Sequence, residues 1–304
     1  MKHFIVTTGG IDLHVHSNFS DGSFSPEEVF AFARKAGLEA VGMCDHDNVR
    51  GYGAATEAAK KHGVEFVPGI EFTTVWDGRE HHILGYYCDP KESGLTKTIA
   101  GCLVERRARG RQSIEQLRAV GHDVPFSLLE EKGGFIDRGD ILRYMMKQGW
   151  HEGTFSDGFR KFFWPDCAGY VLPYSIGGIE PMTVERAVRV IHGAGGVAVF
   201  GHPMGFYVTE MSRGELKQAA DFGIDGLEVY HPRQSEKVMD YLLSTCNELG
   251  LLVTGGTDCH GKVKDMPKMG TLRVSRELLP PLKERAGEWR KRMNISHLAQ
   301  KADE

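Results

Sequence analysis

The sequence predicts an α/β protein: one barrel of about seven strands, carrying a helical insertion between strands four and five. Three observations point there. Short apolar runs alternate with helical stretches over residues 11–88 and again over residues 183–261. Between them the alternation stops for roughly 90 residues that read as helices alone. Clusters of His, Asp and Glu close strand after strand, at the ends where parallel α/β folds gather their ligands. The expected division is a discontinuous barrel over 1–95 and 180–280, an insertion over 96–179 and a charged helical tail over 281–304.

The first strand is Asp12-Leu13-His14-Val15-His16, followed by Ser17-Asn18-Phe19-Ser20-Asp21-Gly22. Alternate side chains of a strand share a face, so His14 and His16 stand together with Cα atoms roughly 6.5–7 Å apart. Two imidazoles so placed can converge on one metal ion, although an isolated pair is equally compatible with a solvated surface. Ser25-Pro26-Glu27-Glu28 then starts a helix, with Ser as N-cap, Pro in the first turn and acids behind it. That helix is expected to bury Val29, Phe30, Phe32 and Ala33 and to stop near Gly37. A strand over 40–44 runs into Asp45-His46-Asp47, and a helix over 53–62 leads to a strand ending Gly69-Ile70-Glu71. A fourth strand covers 82–87, and short connections predict that the strands run parallel.

The insertion opens with a basic helix over 97–120 bearing Arg106, Arg107, Arg109, Arg111 and Arg118. These alternate with Glu105 and Gln112, so a solvated face is the default reading, with a phosphate-binding cap as the other. Further helices cover 139–150 and 155–164. Alternation resumes with a helix over 183–193 and a strand over 196–200 that runs into Gly201-His202-Pro203. Next come a helix near 213–222, the strand Gly226-Leu227-Glu228-Val229-Tyr230-His231 and a helix over 234–249. A last strand begins at Leu251 and reaches Asp258-Cys259-His260-Gly261.

Of the 304 residues, 41% are hydrophobic and 26% charged, which describes a globular chain rather than a disordered one. No apolar run has the length of a membrane span, so no membrane partner is expected. The N-terminus lacks a secretory pattern, and six cysteines form no C-x-x-C pair, which predicts a reducing cytoplasm. A net charge of −4 gives no field for holding duplex nucleic acid, so a phosphorylated substrate needs a local source of positive charge. His, Asp and Glu without paired thiolates suit ions such as Zn²⁺, Mn²⁺ or Fe²⁺. The sequence sets no oligomeric state.

Together the motifs resemble the PHP (polymerase and histidinol phosphatase) superfamily, in its nucleoside-bisphosphatase and oligoribonuclease-like branch. The resemblance rests on Asp12-Leu13-His14-Val15-His16 with Ser20-Asp21-Gly22, on Asp45-His46-Asp47, on Gly69-Ile70-Glu71, on His82-Ile83-Leu84-Gly85-Tyr86, on Gly201-His202-Pro203 and on Asp258-Cys259-His260-Gly261. It implies a distorted (β/α)7 barrel with a helical cap and two to three divalent ions of manganese, iron or zinc. Carried over by position, His14, His16, Glu71 and Asp258 hold the first ion. Glu71, His82 and His202 hold the second, with Glu71 bridging, and Asp21, His46 and His260 hold the third. The implied activity is phosphoester hydrolysis by a metal-activated hydroxide on a small substrate, a nucleoside 3′,5′-bisphosphate or a short oligonucleotide end. His231 and Arg233 are placed after a strand to donate a proton or bind phosphate, and Arg138 of the insertion is the candidate substrate contact. The rival readings are a histidinol-phosphate-type phosphatase and a non-catalytic metal-binding accessory domain. A carbon–nitrogen amidohydrolase shares His-x-His but usually needs a bridging lysine, and no lysine stands at a strand end here.

Several neighbours carry two readings. Asp12 shares a face with His14 and either orients it or closes the barrel; Asp45 and Asp47 flank His46 as supporting or capping groups. Strand alternation sends His81 to the face opposite His82, so it is expected not to be a ligand. Cys44 and Cys259 read as small buried residues, and His3, His62, His122, His151, His192 and His297 as structural or solvated ones. Residues 122–170 depart from the family's usual pattern, with Phe135-Ile136-Asp137-Arg138-Gly139-Asp140 in place of a basic-plus-histidine start.

Overall fold

The computed structural model describes residues 4–172, 180–205, 210–262 and 268–293. Residues 173–179 at the end of the insertion, the tail beyond 293, His3 and His297 lie outside the described residues. Seven strands, β1 (Ile11–Val15), β2 (Ala40–His46), β3 (Glu65–Trp76), β4 (Arg79–Tyr86), β5 (Val197–Gly201), β6 (Gly226–Tyr230) and β7 (Leu252–Gly255), form one sheet in sequence order. The sheet curls until β1 meets the chain after β7. The Val15–Cys259 bridge joins the edges, with the His16 N–H donating to the Cys259 carbonyl at 2.9 Å. Asp12 closes the same seam: its carboxylate accepts from the Thr257 N–H at 2.9 Å and from the Thr257 hydroxyl at 2.6 Å. Of its two readings, the seam is therefore the main one. Gly256 passes so close to the His14 backbone that a Cβ there would collide with it.

The expectation of parallel strands throughout fails at β4, which pairs antiparallel with both β3 and β5. The cause is local. β3 runs on past Glu71 to Trp76 and turns through Asp77-Gly78, both at positive φ (49° and 68°). Asp-Gly at two successive positive-φ positions favours a tight hairpin, which reverses the strand. Because β4 runs downward, its first half lies at the same barrel end as the last residues of the other strands. His82 therefore reaches the site from the beginning of its strand.

The helices follow the cues in the sequence. α1 (Pro26–Ala36) begins with a capping box between Ser25 and Glu28 and ends at Gly37 in the left-handed region. Phe32 corrects the expectation for that helix: it is 39% exposed and stacks on Phe24 with ring centroids 5.3 Å apart. α2 (Tyr52–His62) packs beside α1. After β4, α3 (Ser93–Ala119) spans 27 residues, long enough to run about 40 Å. Its start packs on the barrel core through Leu95 and Ile99, and its far end joins a second core with Ile114 and Leu117. A 3₁₀ segment (126–134), α4 (Arg138–Lys147) and α5 (Phe155–Phe163) complete that second core around Ile141, Leu142, Met145, Phe162 and Phe163. The chain returns to the barrel where the Val75 N–H donates to the Met182 carbonyl at 2.8 Å.

α6 (Val184–Gly193), α7 (Arg213–Asp221), α8 (Glu236–Leu249) and α9 (Leu279–Arg292) cover the remaining face. α9 docks by burying Leu279, Leu282 and Ala286 and by sending Arg285 and Trp289 to Asp225. Among the described residues no helix is long and apolar enough to cross a membrane.

Candidate metal centre

Nine side chains singled out in the sequence meet at one end of the barrel. His14, His16, Asp21, His46, Glu71, His202, Asp258 and His260 are buried, and the His82 side chain is 13% exposed. β1 supplies His14, with His16 just beyond it; their Nε2 atoms lie 3.2 Å apart, so the two rings converge. β2 ends on His46, β3 carries Glu71 and β4 carries His82. His202 follows β5, and Asp258 and His260 follow β7. Asp47, His202 and Asp258 take positive φ (49°, 25° and 52°), a conformation that side-chain-bearing residues adopt at some expense and that clusters at functional sites.

Glu71 stands at the centre. Its Oε2 lies 3.3 Å from His14 Nε2, 3.1 Å from His16 Nε2 and 3.2 Å from His46 Nδ1. Its Oε1 lies 2.7 Å from His82 Nδ1 and 3.1 Å from His202 Nε2. One oxygen thus faces the group completed by Asp258, whose Oδ1 is 3.5 Å from His14 Nε2 and 3.1 Å from His16 Nε2. The other faces His82 and His202. A third group lies beside them: Asp21 Oδ2 is 3.2 Å from His260 Nε2 and 3.9 Å from His46 Nε2, and Asp21 Oδ1 is 3.6 Å from His16 Nδ1. Two histidines span groups in a way that the positional carry-over did not foresee. His16 presents one nitrogen to each of two groups, and His46 lies near both Glu71 and Asp21.

His16 Nδ1, His46 Nδ1 and Glu71 Oε2 are buried and make no hydrogen bond. Buried polar atoms are nearly always satisfied, and nitrogen and oxygen lone pairs converging at 3.1–3.3 Å without alignment are what ligands around a cation leave behind. Among the described residues, ligand atoms lie within 4.8 Å of one another in four overlapping sets: His14, His16, Glu71 and Asp258; His16, Asp21, His46 and His260; His46, Glu71 and His82; and His14, His202 and Glu228. The residues fit divalent ions.

Electrostatics say the same. Burial works against a charge on His16, yet the Asp258 and Glu71 carboxylates push it up to about 9. Burial likewise opposes charge on His82, and Glu71 and Glu80 push it up to about 10. Glu71 and Asp258 would be raised by burial, but their histidine neighbours hold both well below the carboxylate range. The cluster therefore attracts positive charge, as protons or as metal.

Supporting residues include two that sequence reasoning passed over. Glu228 on β6 lies with Oε1 3.0 Å from His14 Nδ1, and its Oε2 accepts from the His202 N–H at 2.7 Å. Its signal was a glutamate amid the apolar residues of a buried strand. Glu80, two residues before His82 on the same face of β4, lies 3.3 Å from His82 Nε2 and binds Arg138. Asp45 builds the loop that carries Asp21, accepting from the Ser17 N–H at 2.8 Å and from the Ser17 and Ser20 hydroxyls at 2.6 and 2.5 Å. Asp47 pairs with Arg106 and accepts from the Thr73 N–H at 3.1 Å. His81 lies on the opposite face against Trp76 and Phe200.

A cavity of about 80 Å³ separates the cluster from the insertion, lined by Asp21, His46, Glu71, His82, Asp258 and His260 below and by Arg106, Arg109, Arg138, Ile136, Ile141 and Phe159 above. The default reading of the arginines as a solvated face is corrected here. Arg106 and Arg109 are 7% and 8% exposed and face the centre, while Arg107 and Arg111 remain outside. Arg138 also lines this cavity. His231 and Arg233 do not line this cavity. His231 is fully buried behind Asp258, with Nε2 3.8 Å from Asp258 Oδ2 and Nδ1 accepting from the Arg233 N–H at 3.2 Å; the Arg233 residue is exposed.

Fold and site together define a metal-dependent hydrolase of phosphoric esters, a phosphoesterase on a nearly closed seven-stranded barrel. The chain belongs to the PHP family, whose domain model matches residues 12–119. It is similar to the 5′-3′ exoribonuclease Rnm of Salmonella typhimurium, 31% identical over 259 residues that cover 82% of this chain and 84% of the relative. It is also similar to a 3′,5′-nucleoside bisphosphate phosphatase of Chromobacterium violaceum, 30% identical over 273 residues covering 84% of this chain and 92% of the relative. Among solved structures, one from Bifidobacterium adolescentis described as a metal-dependent phosphoesterase superposes with a TM-score of 0.82 at 28% identity, covering 92% of this chain and 97% of that one.

Proposed function

We propose that this protein hydrolyses a terminal phosphate ester of a small nucleotide, a nucleoside 3′,5′-bisphosphate or a short oligonucleotide end. The observation that carries the reading is the cavity itself, with carboxylates and imidazoles on one wall and buried guanidinium groups on the other. Such a cleft binds an anion without requiring a basic protein surface. The relatives named above act on substrates of this chemistry, and both are matched along most of their length.

In this reading His14, His16, Glu71 and Asp258 hold one ion; Glu71, His82 and His202 hold a second; and Asp21, His46 and His260 hold a third. Manganese, iron and zinc all suit these ligands. Held there, divalent ions would supply Lewis acidity toward a phosphoryl oxygen and toward the attacking water. Glu71 sets the spacing of the first two groups, and Glu228 and Glu80 hold His14 and His82 in orientation. Arg138 and Arg109 steady phosphate oxygens facing the insertion, which acts as a cap over residues 96–179. His231 keeps its proton on Nε2, because Nδ1 accepts from a backbone N–H, and therefore steadies Asp258 from behind. A side chain so buried does not reach the leaving group directly.

A panel of phosphomonoesters, linear phosphodiesters and a cyclic phosphodiester, assayed with added Mn²⁺, Fe²⁺ or Zn²⁺, tests the reading. Release of inorganic phosphate from a nucleoside bisphosphate is the expected result. Preference for histidinol phosphate, or inactivity across the panel with metal bound, would replace it with one of the rival readings.

A further inference from the structure

We infer that Glu80 is a positioning residue that couples the cap to the metal centre by holding His82 and Arg138 with one carboxylate. The inference rests on the proposed ligand role of His82. Glu80 is 3% exposed and does not line the cavity, so it acts from behind the groups that do. Its Oε1 lies 3.3 Å from His82 Nε2 and accepts from Arg138 Nη2 at 2.5 Å; its Oε2 accepts from Arg138 Nη1 at 3.1 Å. Arg109 Nη1 stands 4.0 Å from the same Oε2. The Arg138 guanidinium is also centred 5.6 Å from the rings of both Phe159 and Tyr170.

Two consequences follow from this geometry. A carboxylate can only accept, so Glu80 keeps a proton on His82 Nε2 and makes Nδ1, 2.7 Å from Glu71, the nitrogen that would give up its proton to an ion held there. A two-pronged Arg–carboxylate pair also fixes the guanidinium plane, which a single contact would leave free to swing. Arg138 comes from the insertion and His82 from the barrel, so Glu80 joins the part that meets the substrate to the part that holds metal.

The test uses the full chain with Glu80→Gln, Glu80→Ala, Arg138→Ala and the Glu80→Gln/Arg138→Ala double variant. Calorimetric titration of the metal-stripped proteins with Mn²⁺ should show binding weakened about 10–100-fold by Glu80→Gln and unchanged by Arg138→Ala. For the best phosphomonoester, KM should rise in Glu80→Gln and in Arg138→Ala, and the double variant should be no worse than the poorer single one. Wild-type Mn²⁺ affinity in Glu80→Gln, or KM effects that multiply, would overturn the inference. Should the Glu80 variants not fold, ¹⁵N shifts of His82 in the Zn²⁺-loaded wild type decide: metal on Nδ1 and proton on Nε2 are expected, and the reverse refutes it. A wild type that neither binds divalent ions nor cleaves any phosphoester defeats the proposed function instead, which keeps the two failures apart.

Discussion

His14 and Glu228 meet across the barrel seam, with Nδ1 and Oε1 3.0 Å apart although 214 positions separate them in the chain. The same carboxylate takes the His202 N–H, so one buried group fixes a side chain of the first group and the backbone of the second. Glu228→Gln should keep the fold and weaken metal binding by about 10–100-fold. Equilibrium dialysis against Mn²⁺ checks this, and unchanged affinity would remove Glu228 from the centre.

Glu71 touches five histidines, more than any other group at the site. Glu71→Gln should therefore reduce the metal content of both groups it borders, whereas His14→Ala should empty chiefly one. Elemental analysis of protein purified without chelators should find two to three ions per chain in the wild type. Activity should fall with metal content in both variants, and full turnover by metal-poor His14→Ala would count against the assigned chemistry.

Arg106 is buried against Asp47, next in sequence to His46, and also donates to the Thr73 hydroxyl at 3.0 Å. Removing one member of a buried ion pair strands the other, at a cost of about 3–5 kcal/mol. Arg106→Ala should accordingly lower the denaturant midpoint by far more than Arg107→Ala, whose partner Glu130 is at the surface. Equal effects of the two substitutions would show that the buried pair does not anchor the insertion.

Asp225 gives a pH dependence away from the metal site. Burial would raise its carboxyl, but His192, the Ala198 N–H and Arg285 hold it below the usual aspartate value. A lowered folded-state pKa means stability present above about pH 4 and lost as the pH falls through that lower value. Asp225→Asn should destabilise the protein by about 1–3 kcal/mol at neutral pH, and the gap to wild type should narrow below pH 4. Urea unfolding across that range measures the gap; a constant gap would mean that the Asp225 charge contributes nothing.

The sequence by itself determined the nine candidate side chains that gather at the barrel end and the order of the elements that carry them. His-x-His on a strand, the Ser25 capping box and the His, Asp and Glu residues at strand ends are local features, set by the periodicities of strand and helix. The tertiary structure decided matters that depend on residues far apart. It swung Arg106 and Arg109 inward on a helix whose pattern alone read as solvated and exposed Phe32, whereas the reversal of β4 at Asp77-Gly78 is a local signal that the sequence itself carries. It also gave Glu228 and Glu80 their partners and set His231 behind Asp258. A buried charge is tolerable only beside its complement, and a chain read residue by residue does not say which distant group supplies it.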